Sequence, residues 1–282
     1  MARVIAIANQ KGGVGKTTTA VNLSASLALA EQRTLLVDAD PQGNATSGVG
    51  VEREKVRFTL YDTLIDGRRM GDVVLRHDQL QHLAVVPASQ DLVGAELELI
   101  ERPQRELALR RALDDVRDDY DFVLIDCPPS LGILTLNVLA AADGVIIPIQ
   151  CEYYALEGIS QLLNTVKVVQ QNFNSNLAID GVLLTMFDSR LNLSKQVADD
   201  AKEYFAQRMF ETVIPRNIRL AEAPGFGKPI LLYDVQSAGA RSYLTVAEEL
   251  VRRIGLLEDG RQPRAGSVAE PPSNPENPEA NS

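Results

Sequence analysis

Cysteine is almost absent from this 282-residue chain, which holds only Cys127 and Cys151. They lie far apart without C-x-x-C spacing, which excludes a disulfide framework and makes each a small buried hydrophobe. Long apolar runs are missing too. The longest candidate, Ile133 to Ile149, is interrupted by Asn137, Asp143 and Pro148, so nothing reads as a membrane span. The sequence opens on a strand-like stretch rather than a charged, apolar and cleavable leader, and the expectation is a cytoplasmic protein. Basic residues are outnumbered, 28 Lys and Arg against 38 Asp and Glu, for a net charge of −10 at pH 7. That sign ordinarily disfavours a nucleic-acid partner, because duplex binding rests on Lys and Arg neutralising phosphates.

What is present is an alternation of strand-like and helix-like segments, the mark of βαβ units on a parallel sheet. Strands are expected at Val4–Ala8, Thr34–Asp38, Leu83–Pro87, Phe122–Asp126, Gly144–Ile149, Gly181–Met186 and Thr212–Ile214. Helices are expected near Thr17–Ala30, Arg105–Arg117, Leu131–Ala141, Leu156–Gln171, Ser194–Gln207 and Ala240–Ile254. Unbroken apolar strands such as FVLID and GVIIPI suit a sheet covered on both faces. From Glu258 the composition turns to Pro, Glu, Asn and Ser, which cannot bury enough apolar surface to order itself. The expected organisation is one α/β domain over residues 1–257 and a disordered acidic tail over 258–282.

The stretch Asn9–Thr19, NQKGGVGKTTT, follows the first strand as a phosphate-binding loop should. The spacing GxxxxGK[ST] is met at Gly15, Lys16 and Thr17, with Gln10 where the strict pattern has glycine. Glycines let such a loop turn its N–H groups inward, so Gly12, Gly13, Val14, Gly15, Lys16, Thr17 and Thr18 are expected around a di- or triphosphate. Lys16 would reach the β and γ phosphates, the Thr17 hydroxyl would ligate Mg²⁺, and the following helix would add its positive N-terminal end. Two further strand ends carry acids: Asp38 and Asp40 in TLLVDADPQGN, and Asp126 in FVLIDCPPS. After a phosphate loop the latter is a Walker B arrangement, with Asp126 acting on Mg²⁺ through water.

KGGVGKT, with a second lysine at Lys11, resembles the deviant Walker A loop of the family that contains ParA, MinD, nitrogenase iron protein and the ArsA ATPases. The resemblance implies a P-loop NTPase, a mostly parallel twisted α/β sheet with helices on both faces, using ATP and Mg²⁺. It implies that Lys11 reaches across a nucleotide-sandwich homodimer to the partner's phosphates, making Lys11, Lys16 and Asp40 the catalytic set. DxDPQGN resembles the family's second motif, in which Asp40 would orient the attacking water and Asp38 would support Mg²⁺ and switch geometry. IPRNIRLAEAPGFGKPI resembles the base-recognition segment, placing Pro215 and Asn217 on adenine with Met186 and Phe187 beside it. Cys127, directly after Asp126, is poorly placed to bridge a cluster as in the iron protein.

The motifs together look like the short, chromosomal (Soj-like) ParA branch, without the helix-turn-helix extension of the long plasmid type. That resemblance implies ATP-driven dimerisation, nonspecific binding of the dimer to nucleoid DNA, and slow hydrolysis accelerated by a ParB-type centromere-binding protein. Slow basal turnover also fits the lack of an evident cis arginine finger or catalytic glutamine near the loop. DNA contacts are expected from Arg190, Arg219, Lys195 and Lys228, with Lys202 and Arg216 as further candidates. An acidic total permits this, since screening over about 8 Å makes the local patch decisive. Two alternatives stay open: a MinD-like membrane-cycling ATPase, which the acidic, proline-broken end disfavours, and a small-molecule ligase of the same superfamily.

Overall fold

Strands that are apolar at every position need cover on both faces, and the chain supplies it. The computed structural model describes residues 1–152 and 157–258. Strand β1 (Arg3–Ile7) leads into α1 (Lys16–Leu29) and β2 (Thr34–Asp38), followed by α2 (Asn44–Gly48), α3 (Leu60–Leu64), β3 (Leu75–Arg76) and β4 (Leu83–Val86). Next come α4 (Leu92–Ile100), α5 (Ala108–Leu113), β5 (Phe122–Asp126), α6 (Ile133–Ala141), β6 (Gly144–Gln150), α7 (Glu157–Asn172) and β7 (Ala178–Thr185). The last described elements are α8 (Asn192–Phe205), α9 (Ile218–Glu222), α10 (Ile230–Tyr233) and α11 (Ala238–Glu258).

The sheet runs in the order β3-β4-β2-β5-β1-β6-β7, parallel at every pairing except β3 against β4. Alternate residues enter two cores: Val4, Ala6, Val37 and Ile125 on one face, and Ile5, Ile7, Leu36 and Leu124 on the other. Helix α1 lies in the second core against α11, where Tyr243, 1 % exposed, shares a hydrogen bond with Thr19. Register decides where function can sit. Ile7 pairs with Asp126, and Asp126 pairs with Asp38, so the loop after β1 and two carboxylates emerge together at the carboxyl ends of three central strands. Open α/β sheets bind ligands at that end.

Pro148 lies inside β6, an unusual position for a residue without an N–H. It is tolerated because β1 pairs with β6 only as far as Ile146; beyond that point Pro148 faces the loop, and its carbonyl accepts a bond from Asn9 Nδ2 at 2.7 Å.

Two expectations need correction. Thr212–Ile214 is not a strand: only Met209 and Pro215 bridge singly to Val182 and Phe187. Between them the buried Glu249 carboxylate takes the Glu211 and Thr212 N–H groups, at 2.9 and 3.2 Å, so contact with β7 is limited to isolated bonds such as those from the Phe210 and Ile214 N–H groups. The helix expected over Arg105–Arg117 is interrupted, with a 3-10 turn at Arg105–Leu107 before α5 and another at Arg117–Asp119. Asn137 holds that first break, donating to the Arg105 carbonyl and accepting from Leu109 N–H. Helix α4 and the edge strand β3 were not expected at all. The tail from Asp259 and the start, at Leu156, of the helix expected over Leu156–Gln171 lie outside the described residues.

Candidate active site

The loop between β1 and α1 is clamped from both sides. Asn9 Oδ1 accepts from Lys11 N–H at 3.0 Å while its amide holds Pro148, and the Thr185 hydroxyl at the end of β7 donates to the Val14 carbonyl at 2.8 Å. Gly13 and Gly15 adopt left-handed backbone, with φ of 76° and 89°, which a side chain would strain. Gly12 does not. Gly15 is the N-cap of α1, no side chain caps that end, and its first turn contains no acid. The free N–H groups and positive dipole end therefore face the loop's mouth, the arrangement that attracts phosphate.

The two lysines have different surroundings. Lys16, 7 % exposed, turns inward and donates to the Lys11 carbonyl at 3.1 Å. Burial lowers its pKa, and Asp126 and Asp40 oppose that shift. The Lys11 ammonium is partly exposed and pairs with Glu152, beyond the end of β6, at 3.7 Å. Glu152 is a residue that sequence reasoning passed over; nothing local marks it.

Asp38 and Asp126 are both fully buried, and burial raises the pKa of each, to about 6 for Asp38 and well above the usual range for Asp126. Their partners differ. Asp38 accepts from Asp40 N–H at 3.2 Å and from the Thr46 N–H and hydroxyl at 2.7 Å each, which ties the start of the acidic loop to α2. Neither oxygen of Asp126 has a protein hydrogen bond at standard geometry, although Thr17 and Lys16 are polar neighbours. A buried carboxylate with two unused oxygens fits a cation. No three His, Cys, Asp or Glu side chains form a cage among the described residues, so Mg²⁺ there would take its other ligands from phosphate and water.

Asp40, 7 % exposed, accepts from Gln42 N–H at 2.9 Å within a turn closed by Gly43 N–H on the Asp40 carbonyl. Arg53 braces this loop from outside, donating to the Gly43 carbonyl and the Ser47 hydroxyl. Gln10, at the departure from the strict pattern, also keeps a buried side-chain oxygen without a partner. Beyond β7, Phe187 pairs with Ile214 and Arg216 through backbone bonds of 3.0 Å, setting Pro215 beside Phe187 at the same end of the sheet as the loop. Met186 reaches this turn with φ of 51°, and Asn217 caps α9 by accepting from Leu220 N–H.

The expected DNA residues are all exposed, and the structure gathers them only in part. Arg190 forks onto Asp188, which it holds down at about 2, and Arg216 acts on the same carboxylate. Arg219 on α9 pairs with Glu222 and Asp234, and Lys228 follows six residues after Glu222 on the same connected segment. Lys195 and Lys202 lie two turns apart on α8. Two clefts of about 480 and 590 Å³ lie away from the phosphate loop. The first is rich in arginine, but Arg102, Arg105 and Arg111 are engaged by carbonyls at helix ends and turns.

Thr185→Val tests the clamp on the loop. It preserves shape and leaves the buried Val14 carbonyl without its donor, so unfolding in urea is expected to show a loss of about 1–2 kcal/mol.

A parallel sheet with an uncapped helix behind a glycine loop, and an unpartnered aspartate on the adjacent strand end, defines a P-loop nucleotide-binding α/β protein. The comparisons with known proteins agree and go further. A family described as an AAA domain matches residues 2–179. The chain is 56 % identical over 251 residues to the chromosome partitioning protein ParA of Myxococcus xanthus, covering 89 % of this chain and 88 % of that one. It is 56 % identical over 250 residues to the sporulation initiation inhibitor protein Soj of Bacillus subtilis, covering 89 % and 98 %. The solved structure of cobyrinic acid a,c-diamide synthase from Mycobacterium smegmatis, with bound ADP and magnesium, superposes with a TM-score of 0.80 at 39 % identity, covering 93 % and 97 %. The chain belongs to the ParA/Soj family of chromosome-partitioning ATPases.

Proposed function

We propose that this protein is an ATP-hydrolysing switch for DNA segregation, in which ATP joins two copies face to face and the dimer holds DNA without regard to sequence. The observation that carries the reading is the different engagement of the two lysines: Lys16 buried on a carbonyl of its own loop, Lys11 on a partly exposed, weak ion pair with Glu152 that a neighbour's phosphate can replace. The N–H groups of Gly12 to Thr18 and the Lys16 ammonium would hold the phosphates, with Pro215 and Asn217 beside the base. Thr17 and Asp126 would hold Mg²⁺, which would neutralise phosphate charge. Asp40 would orient the attacking water, and Asp38 would keep the acidic loop in register with α2. The partner's Lys11 would add positive charge at the developing transition state, and a ParB-type protein would accelerate the step.

Arg190, Arg219, Lys195 and Lys228 would meet DNA phosphates, the two arginines exchanging their present carboxylate partners for them. The test is binding to a random duplex with ATP and with ADP while the protein is sized in each state. ATP-dependent dimers that bind, and that lose binding on added salt or with Arg219→Glu, support the reading; dimers indifferent to DNA in every state reject it. Deletion from Gly260 onward is expected to leave ATP turnover and DNA binding unchanged, measured by phosphate release and the same duplex assay. Because a structurally similar protein is a synthase by name, a small carboxylic acid that stimulates turnover when DNA does not would favour the ligase alternative.

A further inference from the structure

The segment that carries Arg219 and Lys228 is held against the nucleotide end of the molecule at two points. After α9 it makes one 3-10 turn, Ala223–Phe226, and reverses at Gly227, where φ is 61° and the Lys228 N–H closes onto the Ala223 carbonyl at 3.2 Å. Gly227 lies backbone to backbone on Gly50, the residue at which the chain leaves α2 with φ of 83°. A Cβ added at Gly50 would lie 2.8 Å from the Gly227 carbonyl oxygen, and one at Gly227 would lie 3.1 Å from the Gly50 Cα and 3.3 Å from the Ser47 carbonyl oxygen. Neither neighbour is a side-chain tip that could swing away. Helix α2 in turn is tied to the acidic loop through Thr46 on Asp38 and to Arg53 through Gly43 and Ser47.

The second point is on α1. Asn22 donates to the Thr18 carbonyl at 2.8 Å, in the turn that follows the phosphate loop, and accepts from Ile230 N–H at 2.7 Å, two residues past Lys228. A displacement of either the acidic loop or α1 therefore has a short, rigid route to residues 218–230, made of backbone contact and buried hydrogen bonds.

We propose that Gly50 and Gly227, with Asn22, are positioning residues that transmit the state of the nucleotide to the basic segment bearing Arg219 and Lys228. This rests on the DNA-binding reading above and adds its regulation. The close approach requires that neither position carry a side chain; Gly225, two residues from Gly227, has open space around its Cβ position and no such requirement.

The test uses full-length Gly50→Ala, Gly227→Ala and Gly225→Ala with a random duplex. In the wild-type protein, ATP is expected to tighten duplex binding over ADP by at least about ten-fold. Gly50→Ala and Gly227→Ala are expected to bind ATP and dimerise as the wild type does yet lose that difference, and Gly225→Ala to keep it. Folded Gly50→Ala and Gly227→Ala that both keep the full difference would overturn the proposal. Hydrogen exchange on the unaltered protein is a second measure independent of folding in the variants. Exchange over 218–230 should change together with 44–50 when an ATP analogue replaces ADP; a change confined to the phosphate and acidic loops would also overturn the proposal. If the wild type binds no DNA in any state, the DNA reading fails, and the exchange experiment still decides the coupling.

Discussion

Lys16→Ala is expected to abolish nucleotide binding and lower ATP turnover at least about a hundredfold, whereas Lys11→Ala is expected to leave ATP on the monomer and lose the ATP-dependent dimer. The contrast follows from where the two ammonium groups lie. Lys16 is buried against the Lys11 carbonyl and beside Asp126, so its removal takes an internal cation from a site that must hold a polyphosphate, and leaves buried carboxylates without its charge. Lys11 touches Glu152 at the surface and no group of its own phosphate loop, so a lone subunit does not need it to hold nucleotide. Titration with a fluorescent ATP analogue, sizing with and without ATP, and phosphate release separate the two. Lys11→Ala that dimerises with ATP as fully as the wild type would remove the trans role.

Asp126→Asn is expected to make the nucleotide-free protein more stable and the enzyme nearly inactive. In the folded chain Asp126 is fully buried beside Asp38 without a protein hydrogen bond, while in the unfolded chain it ionises in water. The folded state alone carries that burial cost, which the Lys16 charge offsets only in part, so neutralising the side chain at constant shape should add about 1–3 kcal/mol. A gain of that size raises the melting temperature by several degrees, at about 2–4 °C per kcal/mol. The same change removes the carboxylate that would hold Mg²⁺, and turnover should fall by at least about a hundredfold. Calorimetry without nucleotide and a magnesium titration of activity check both halves; a lower melting temperature would show that Asp126 is a structural anchor instead.

Nearly all the inner strands were legible because each is short, apolar and bounded by turn residues, and local pattern suffices for that. Thr212–Ile214 has the same β-branched composition and is no strand, because the carboxylate of Glu249, on α11, takes the N–H groups of Glu211 and Thr212 where the segment begins. Helix α4 was missed although Leu92, Ala95 and Leu99 are buried at helical spacing, since its exposed Val93, Leu97 and Ile100 blur the apolar stripe. Arg53 and Glu152 were invisible for another reason. An arginine or glutamate in a polar stretch has no sequence mark of what it will touch.

By itself the sequence determined the phosphate loop, the acids at the strand ends, the parallel α/β class and the family. These depend on residues within a few positions of one another, where the spacing is the chemistry. Tertiary structure alone decided that Asp38 is satisfied and Asp126 is not, that Thr185 clamps a loop 171 residues earlier, and that Gly50 meets Gly227. Such contacts are set by strand register and by the crossovers that return distant segments to one end of the sheet, and register is a property of the assembled sheet rather than of any one strand.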